Sequence, residues 1–254
     1  MKFIYRTEEK EVFLHGKMEK HEVAFITEVV DGEGSIVIPI RIDGHYVYSF
    51  TDVRGLDNIS AIITEDRHPF MRSIDGVLFS RDRKTLICYP PKKAEPVYSM
   101  PSQVEFVHSR AFRYCTYLTV LIFSPNISSL ESDVVYNCRC LKSATLPSAV
   151  KELSGFPFAN CERLLNLTLP GNINKLNLTA YINSNMKALF VPRSVTEFDF
   201  DPTLISGEIK NKIFCSENAP VIQWCEKYNI PYKVVQSGIP RNDNLDLPMN
   251  TSNL

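Results

Sequence analysis

The stretch that decides the fold runs from residue 101 to residue 191 and repeats at a fixed spacing. It reads PSQVEFVHSRAFRYCTYLTVLIF (101–123), SPNISSLESDVVYNCRCLKSATL (124–146), PSAVKELSGFPFANCERLLNLTL (147–169) and PGNINKLNLTAYINSNMKALFV (170–191). The first three copies have 23 residues and the fourth has 22. Eight apolar positions recur at the same places in the first three copies. A fixed period of this length predicts a solenoid, in which each copy packs only on its neighbours.

Each copy ends in apolar residues spaced as L-x-x-L-x-L, a spacing that is typical of a leucine-rich repeat. The end of this run is extended, so its side chains alternate, with Leu121 and Phe123 facing the core. Stacked copies then form one parallel sheet on the concave side. We expect the outward side chains of that sheet to form the binding surface: Val120, Ile122, Ser143, Thr145, Asn166, Thr168, Ala188, Phe190 and Phe214. The alternative is that these residues only favour strands or lie under a cap.

Three cysteines, Cys115, Cys138 and Cys161, occupy the same place in successive copies. This place belongs to an A-F-x-x-C segment, which predicts a short helical turn on the convex side. The chain has seven cysteines, and an odd number in such places argues against a disulfide framework. We therefore expect free thiols that pack in the core as small hydrophobic groups.

The flanking sequence suggests four parts. Residues 1–35 are predicted to form an N-terminal β cap, and residues 36–215 the solenoid, interrupted by a β insert at 68–100 with two strands. Residues 216–235 are predicted to form a capping helix and a closing strand. The polar, Asn-rich and Pro-rich residues 236–254 predict a disordered tail.

Finer expectations concern the two caps. In the N-terminal cap, two short apolar runs, 3–5 and 12–14, are separated by the polar residues 6–11, which predicts a hairpin with its turn in between. In the C-terminal helix, residues 216–218 offer an N-cap and Pro220 suits the first turn. One apolar face of this helix is predicted to contain Val221, Trp224, Cys225 and Tyr228.

Three motifs make the chain resemble the BspA-like leucine-rich repeat family. They are the insert SIDGVLFS (73–80) with KTLICYP (84–90), the repeat core Ala111-Phe112-x-x-Cys115-x-x-Leu118, and the closing segment APVIQWCEKYNIPY (219–232). The resemblance covers roughly residues 36–235. It implies an α/β solenoid that is mostly β, a leucine-rich repeat horseshoe with a parallel concave sheet. It also implies a C-terminal capping helix. The short helical turns on the convex side and the N-terminal β cap are predicted from the residues themselves. Val134 and Pro157 depart from the family, which usually has Ala there.

Composition restricts the kinds of partner. With 22% charged residues and a net charge of −1, nothing favours nucleic acid or an anionic membrane surface. No apolar run approaches the roughly 20 residues of a membrane helix. The first residues do not resemble a signal peptide, since charges begin at Arg6. The resemblance implies a cell-surface or secreted protein, whereas a natural lack of an export signal would imply the cytoplasm. We expect a monomer.

The search for chemistry yields no catalytic, metal or cofactor site. The five histidines are scattered, and Cys138-x-Cys140 lacks the paired halves of a zinc site. Asp199 and Asp201 share one side of a strand, which we interpret as a solvated edge rather than a calcium site. We therefore predict a non-enzymatic interaction module with a protein or glycan partner, of the adhesion or host-interaction type that the resemblance implies. The alternative is an intracellular scaffold or regulatory repeat protein.

Overall fold

A computed structural model of the chain describes residues 1–153, 155, 157–178, 188–201, 203, 212–217 and 219–236. It is a mostly-β solenoid in which parallel sheets stack along the array, as the period predicts. The tail predicted to be disordered lies outside the described residues from position 237 onward.

The N-terminal region is a long hairpin that joins a four-stranded sheet. The strands are β1 (Lys2–Leu14), β2 (Lys17–Val30), β4 (Arg41–Ile42) and β5 (His45–Ser49), in the order β1-β2-β5-β4. The hairpin turn is His15-Gly16, two residues with left-handed backbone angles, and Leu14 pairs with Lys17. The turn predicted within residues 6–11 was wrong, because both apolar runs belong to β1. Its polar middle remains a strand since the ladder to β2 uses only backbone groups.

The insert adds antiparallel strands between two parallel pairs. Strand β3 (Gly34–Ile38) pairs in parallel with β6 (Ile59–Thr64). Strands β7 (Met71–Ile74), β8 (Val77–Ser80) and β9 (Thr85–Cys88) follow as an antiparallel meander, and β9 pairs in parallel with β11 (Phe106–Val107). The meander has three strands where two were predicted, and the predicted Asp75-Gly76 turn joins the first two. The insert therefore merges with the solenoid.

The strands that follow the insert are described in three further sheets. On the concave side, β10 (Val97–Ser99), β12 (Val120–Ile122), β13 (Ser143–Thr145) and β15 (Asn166–Thr168) pair in parallel in that order. A second sheet contains β14 (Glu152–Leu153), β16 (Lys175–Asn177) and β18 (Glu197–Asp199). A third contains β17 (Ala188–Val191), β19 (Lys212–Cys215) and β20 (Tyr232–Val234). A proline ends most of these concave strands, because it has no N–H to donate to the ladder.

The convex segments are single turns linked from copy to copy. Within the first turn, the Ala111 amide donates to the His108 carbonyl at 3.0 Å, an i to i−3 bond. Between copies, the Phe112 amide donates to the Val134 carbonyl at 2.9 Å. Each turn includes a left-handed residue at the same place: Tyr114, Asn137 and Asn160, with φ of 58°, 56° and 58°. Asn tolerates this conformation better than Tyr does, so the first turn is the more strained one.

The C-terminal helix α1 (Pro220–Lys227) covers the last strands. Val221 and Cys225 are buried, and the Trp224 ring lies 4.6 Å from that of Phe200 between centroids. The predicted apolar face is confirmed. The predicted side-chain cap was wrong: the N-cap residue is Ala219, which makes no side-chain capping bond. Pro220 in the first turn has no N–H, so fewer backbone donors need a cap.

Six of the seven cysteines are buried, including Cys115, Cys138 and Cys161 as predicted, and all seven are free. The buried thiols of Cys138 and Cys161 donate to the carbonyls of Phe112 and Val135, at 2.7 Å and 3.1 Å. Burial raises the pKa of the Cys88 thiol to about 12 and holds the pKa of Cys138 well above its ordinary value. A buried thiolate is unfavourable in such surroundings, so these groups are poor nucleophiles.

Thiol reactivity provides a test of this core. Cys140 is the one cysteine that is not fully buried. At pH 8 we expect the native protein to react with a thiol reagent at about one site and the protein in guanidinium chloride at all seven cysteines, because only thiolates react. A Cys140→Ser variant should then show almost no native reaction. Several rapid native equivalents would mean that the cysteine positions do not face the core.

Candidate binding face

The outward positions of the concave strands line up in two columns, which we call the concave ladder. The first column runs through Val97, Val120, Ser143 and Asn166, and the second through Ser99, Ile122, Thr145 and Thr168. The columns follow from the parallel register, because identical places in successive copies lie side by side. Ala188 and Phe190 on β17 occupy the corresponding places in the next copy.

Burial along these strands alternates as the sequence predicts. Leu121 and Ala144 are completely buried between their outward neighbours. Ile122 is 40% exposed, Thr145 and Thr168 are exposed, and Val120 and Ser143 are half-buried. The side chains of Asn166 and Ala188 fall outside the described residues. The register places the described side chains of the ladder on one surface.

The far end of the predicted ladder needs a correction. Phe190 pairs with Phe214, which in turn pairs with Lys233. Phe190 is half-buried, but Phe214 is completely buried. Its strand lies between two paired strands, so large side chains flank it on both sides. Phe214 is therefore not an exposed member of the ladder, contrary to expectation.

The sequence reasoning missed the first strand of the ladder. Val97 is 55% exposed and Ser99 is exposed at the open edge of the concave sheet. The signal was available, since Val97 lies 23 residues before Val120 and Pro101 follows as in the later copies. The signal was overlooked because the insert interrupts the 23-residue period just before this strand. Val37 and Ile63, paired on β3 and β6, form a further exposed apolar pair nearer the N-terminus.

The concave sheet and the second sheet differ in charge at their outward positions. On the second sheet, Lys175 faces Glu197 in the register, and its Nζ atom lies 3.3 Å from an Asp199 carboxylate oxygen. On the concave ladder, no position from Val97 to Phe190 is charged. The ladder therefore presents aliphatic, hydroxyl and amide groups with no fixed charge of its own.

A second concavity lies between the N-terminal hairpin and the insert. It is an open groove of about 760 Å³ with Phe13, Met18 and Tyr48 on one side and Arg81 and His108 on the other. Phe13 and Met18 face each other across the hairpin and are well exposed. The groove combines apolar walls with scattered charges, without a convergent polar cluster.

The two aspartates considered as a possible calcium site interact with other side chains or with the backbone. Asp199 pairs with Lys175, and Asp201 accepts hydrogen bonds from the amide and hydroxyl of Thr203 at 2.9 Å and 2.6 Å. In the described part of the chain, no three His, Cys, Asp or Glu side chains come together as a metal site would require. Nor does any helix of that part have the length and apolar character to cross a membrane.

Comparison with solved structures finds bacterial proteins of similar fold. A leucine rich cell surface protein from Faecalibacterium prausnitzii is 21% identical, with a TM-score of 0.52 over 68% of this chain and 52% of that chain. The pneumococcal vaccine antigen PcpA is 18% identical, with a TM-score of 0.51 over 82% of this chain and 56% of that one. This chain thus spans about half the length of either neighbour. At these identities the likeness shows a shared fold. A search of curated proteins found no match.

A family model agrees with the period found in the sequence. The model of the BspA type leucine rich repeat region matches residues 96–201 in six copies. The match begins just before β10, which supports counting Val97 and Ser99 with the ladder, and it ends after β18. The stacked copies that form the concave and second sheets, residues 96–201, are a BspA-type leucine-rich repeat region.

Proposed function

We propose that this chain is a non-enzymatic interaction module of the adhesion type, which binds an extracellular protein on its concave ladder. The observation that carries the proposal is the ladder itself: exposed aliphatic side chains such as Val97 and Ile122 on a parallel sheet. Exposed apolar groups that cluster on one surface mark interaction sites more often than scattered ones do. Strands fixed by neighbouring copies lose little entropy on binding, which favours affinity.

The extracellular location rests on analogy. One structural neighbour is described as a cell surface protein and the other as a vaccine antigen. Fold likeness alone does not transfer function. Adhesion is therefore the finer part of the proposal, whereas the shape and chemistry of the surface support the binding part.

The free cysteines favour the alternative of an intracellular scaffold or regulatory repeat protein. All seven are free, and reduced thiols are usual inside cells. Protease treatment of intact cells, followed by detection of the chain with an antibody, separates the two. Degradation supports a surface location, and protection supports the scaffold.

The binding surface can be tested with a matched pair of variants. Ile122→Asp places a charge on the ladder, whereas Phe106→Asp places one on β11, where the side chain is 57% exposed. In pull-downs from host-cell and microbial surface extracts, we expect the first variant to retain at least tenfold less of the specific partner, because a desolvated carboxylate is costly. The second should bind as the wild type does.

Thermal melts show whether Ile122→Asp weakens binding directly or by unfolding the protein. Both side chains are exposed, so both variants should melt within a few degrees of the wild type. A collapse of the Ile122→Asp melt would place that residue in the core and invalidate the register. Equal retention by both variants would exclude the ladder as the binding surface.

A further inference from the structure

We propose that the concave ladder binds an uncharged, extended polypeptide segment that lies across the strands, with one apolar side chain at each end of the contact. This inference rests on the proposed function and names the chemistry of the partner. The ladder differs from the second sheet in charge and has an ordered series of residue types, and these two features specify the partner.

Charge is the first feature. The second sheet has the same architecture, yet its outward positions include Glu152, Lys175, Glu197 and Asp199. The fold therefore accepts charged residues at outward strand positions. The ladder has none over five strands, in a chain with 22% charged residues. A charged partner group placed on this surface would lose hydration without gaining an opposite charge, so the contact favours a neutral partner.

The order of residue types is the second feature. Val97, Val120 and Ile122 give the first two strands a mainly aliphatic surface beside the Ser99 hydroxyl, Thr145 and Thr168 provide hydroxyls in the middle, and Phe190 follows. Each hydroxyl can both donate and accept a hydrogen bond. The middle of the ladder therefore suits the N–H and C=O groups of a polypeptide backbone, while the two ends suit apolar side chains.

The spacing of the ends fixes the spacing in the partner. Ile122 and Thr168 are two paired strands apart, and Phe190 lies on β17 of the next copy, which is not hydrogen-bonded to β15. Three steps at the usual distance between neighbouring strands amount to roughly 14 Å. An extended chain covers about the same distance in four residues, and side chains four residues apart lie on the same face. The partner segment should therefore have the pattern apolar-x-x-x-apolar, with small or polar uncharged residues between the anchors.

A sugar fits this surface less well. The aliphatic end offers the Ser99 hydroxyl as its one side-chain donor and acceptor, so most hydroxyls of a sugar ring bound there would lose hydrogen bonds to water without replacement. Unpaired polar groups of this kind weaken binding more than the matching contacts strengthen it. An apolar side chain of a polypeptide loses nothing comparable.

The test uses the immobilised full chain and a displayed library of random 12-residue peptides. We expect enriched peptides to be uncharged in their common core, to show the apolar-x-x-x-apolar pattern, and to bind at least tenfold more weakly to Ile122→Asp but equally to Phe106→Asp. Their affinity should change less than about twofold between 50 and 500 mM NaCl, because salt screens only charged contacts. Selection on a Phe190→Ser variant should lose the second apolar position.

The outcomes separate this inference from the proposed function. Enriched peptides with a common Asp, Glu, Lys or Arg, or a steep loss of binding in salt, would overturn the neutral partner while leaving the ladder as the binding surface. Peptides that bind equally to Ile122→Asp would overturn the ladder itself. A selection without any ladder-dependent peptide, alongside glycans on an array that need Ile122, would replace the polypeptide by a sugar.

Discussion

Lowering the pH from 7 to 4 is expected to destabilise the N-terminal half of the protein by about 3 kcal/mol, through one buried histidine. His68 is completely buried. Burial is the main cause that lowers the pKa of His68 from 6.5 to about 4, and Arg81 acts in the same direction. The nearby backbone of Pro39 and the charge of Glu65 oppose the shift.

The sign of the effect follows from proton linkage. The unfolded chain has an imidazole of ordinary pKa, so between pH 6.5 and pH 4 it binds a proton that the folded chain does not bind. The contribution of His68 to the free energy of unfolding is therefore fully present above pH 6.5. It is lost as the pH drops to about 4. A difference of about 2.5 in pKa corresponds to about 3 kcal/mol.

Protonation would also change the local structure. The Nδ1 atom of His68 accepts hydrogen bonds from the amides of Phe70 and Met71, at 3.4 Å and 3.2 Å. A protonated Nδ1 is a donor and can no longer accept them. The Phe70 ring packs on Tyr48 at 5.0 Å between centroids and on Tyr46 at 6.3 Å. Loss of this turn would loosen the contact between the insert and strand β5.

A His68→Asn variant should flatten this pH dependence. The Asn side-chain oxygen can replace Nδ1 as acceptor but does not titrate. Urea unfolding at several pH values should show a stability that falls between pH 6.5 and 4 in the wild type and much less in the variant. The ring signals of His68 in NMR should not titrate above about pH 5. A wild-type curve that is as flat as that of the variant, or a His68 ring that titrates near pH 6.5, would contradict the prediction.

The 23-residue period made the inward and outward positions of the regular copies predictable. At the end of the array, where the period is lost, the burial of a side chain could not be predicted in this way. Leu121, Ala144 and Leu167 occupy one place in three copies, so each copy supports the interpretation of the others. Phe214 stands at the eroded end, where no copy follows to show what lies against it. Its register could be read from the sequence, but its burial depends on strands that pair on both sides.

The N-terminal hairpin was harder to predict because its strands are held by pairing rather than by burial. Charged residues of β1 such as Arg6, Glu8 and Lys10 form ion pairs on the surface, so no apolar alternation marks the strand. The turn signal at His15-Gly16 is short and was outweighed by the polar run before it. The role of His68 was equally hidden, since a lone histidine in a sequence does not reveal its burial.

A Gly55→Ala variant is expected to lose about 3 kcal/mol or more of stability, the largest effect that we foresee for a single methyl group. Gly55 has a φ of 76°, where an alanine is strained by about 1–2 kcal/mol. In addition, a Cβ atom at this position would lie 2.0 Å from the carbonyl oxygen of Val29. That distance is far shorter than a van der Waals contact. The backbone at either position 55 or Val29 must therefore move.

Hydrogen bonds hold both the segment around Gly55 and the end of β2 in place. The Val29 amide donates to the Arg54 carbonyl at 2.9 Å, and the Arg54 amide donates to the Thr27 carbonyl at 3.0 Å. Arg54 also forms an ion pair with Glu28 at 2.7 Å. Relief of the clash therefore breaks backbone hydrogen bonds at the end of β2, where Val29 is buried in the core. Because the obstructing atom belongs to the backbone, a smaller side chain nearby cannot compensate.

Gly44→Ala is the matched control. Gly44 has a φ of 88°, but a Cβ atom there meets nothing within 4 Å. This control measures the conformational strain alone, and the difference between the two variants measures the clash. For a chain of this size we expect the melting temperature to fall by a few degrees in Gly44→Ala and by roughly 10 °C in Gly55→Ala. Amide hydrogen exchange should locate the additional loss in β2 and around residue 54. Equal melting temperatures for the two variants would show that the approach of Gly55 to Val29 is not a tight one.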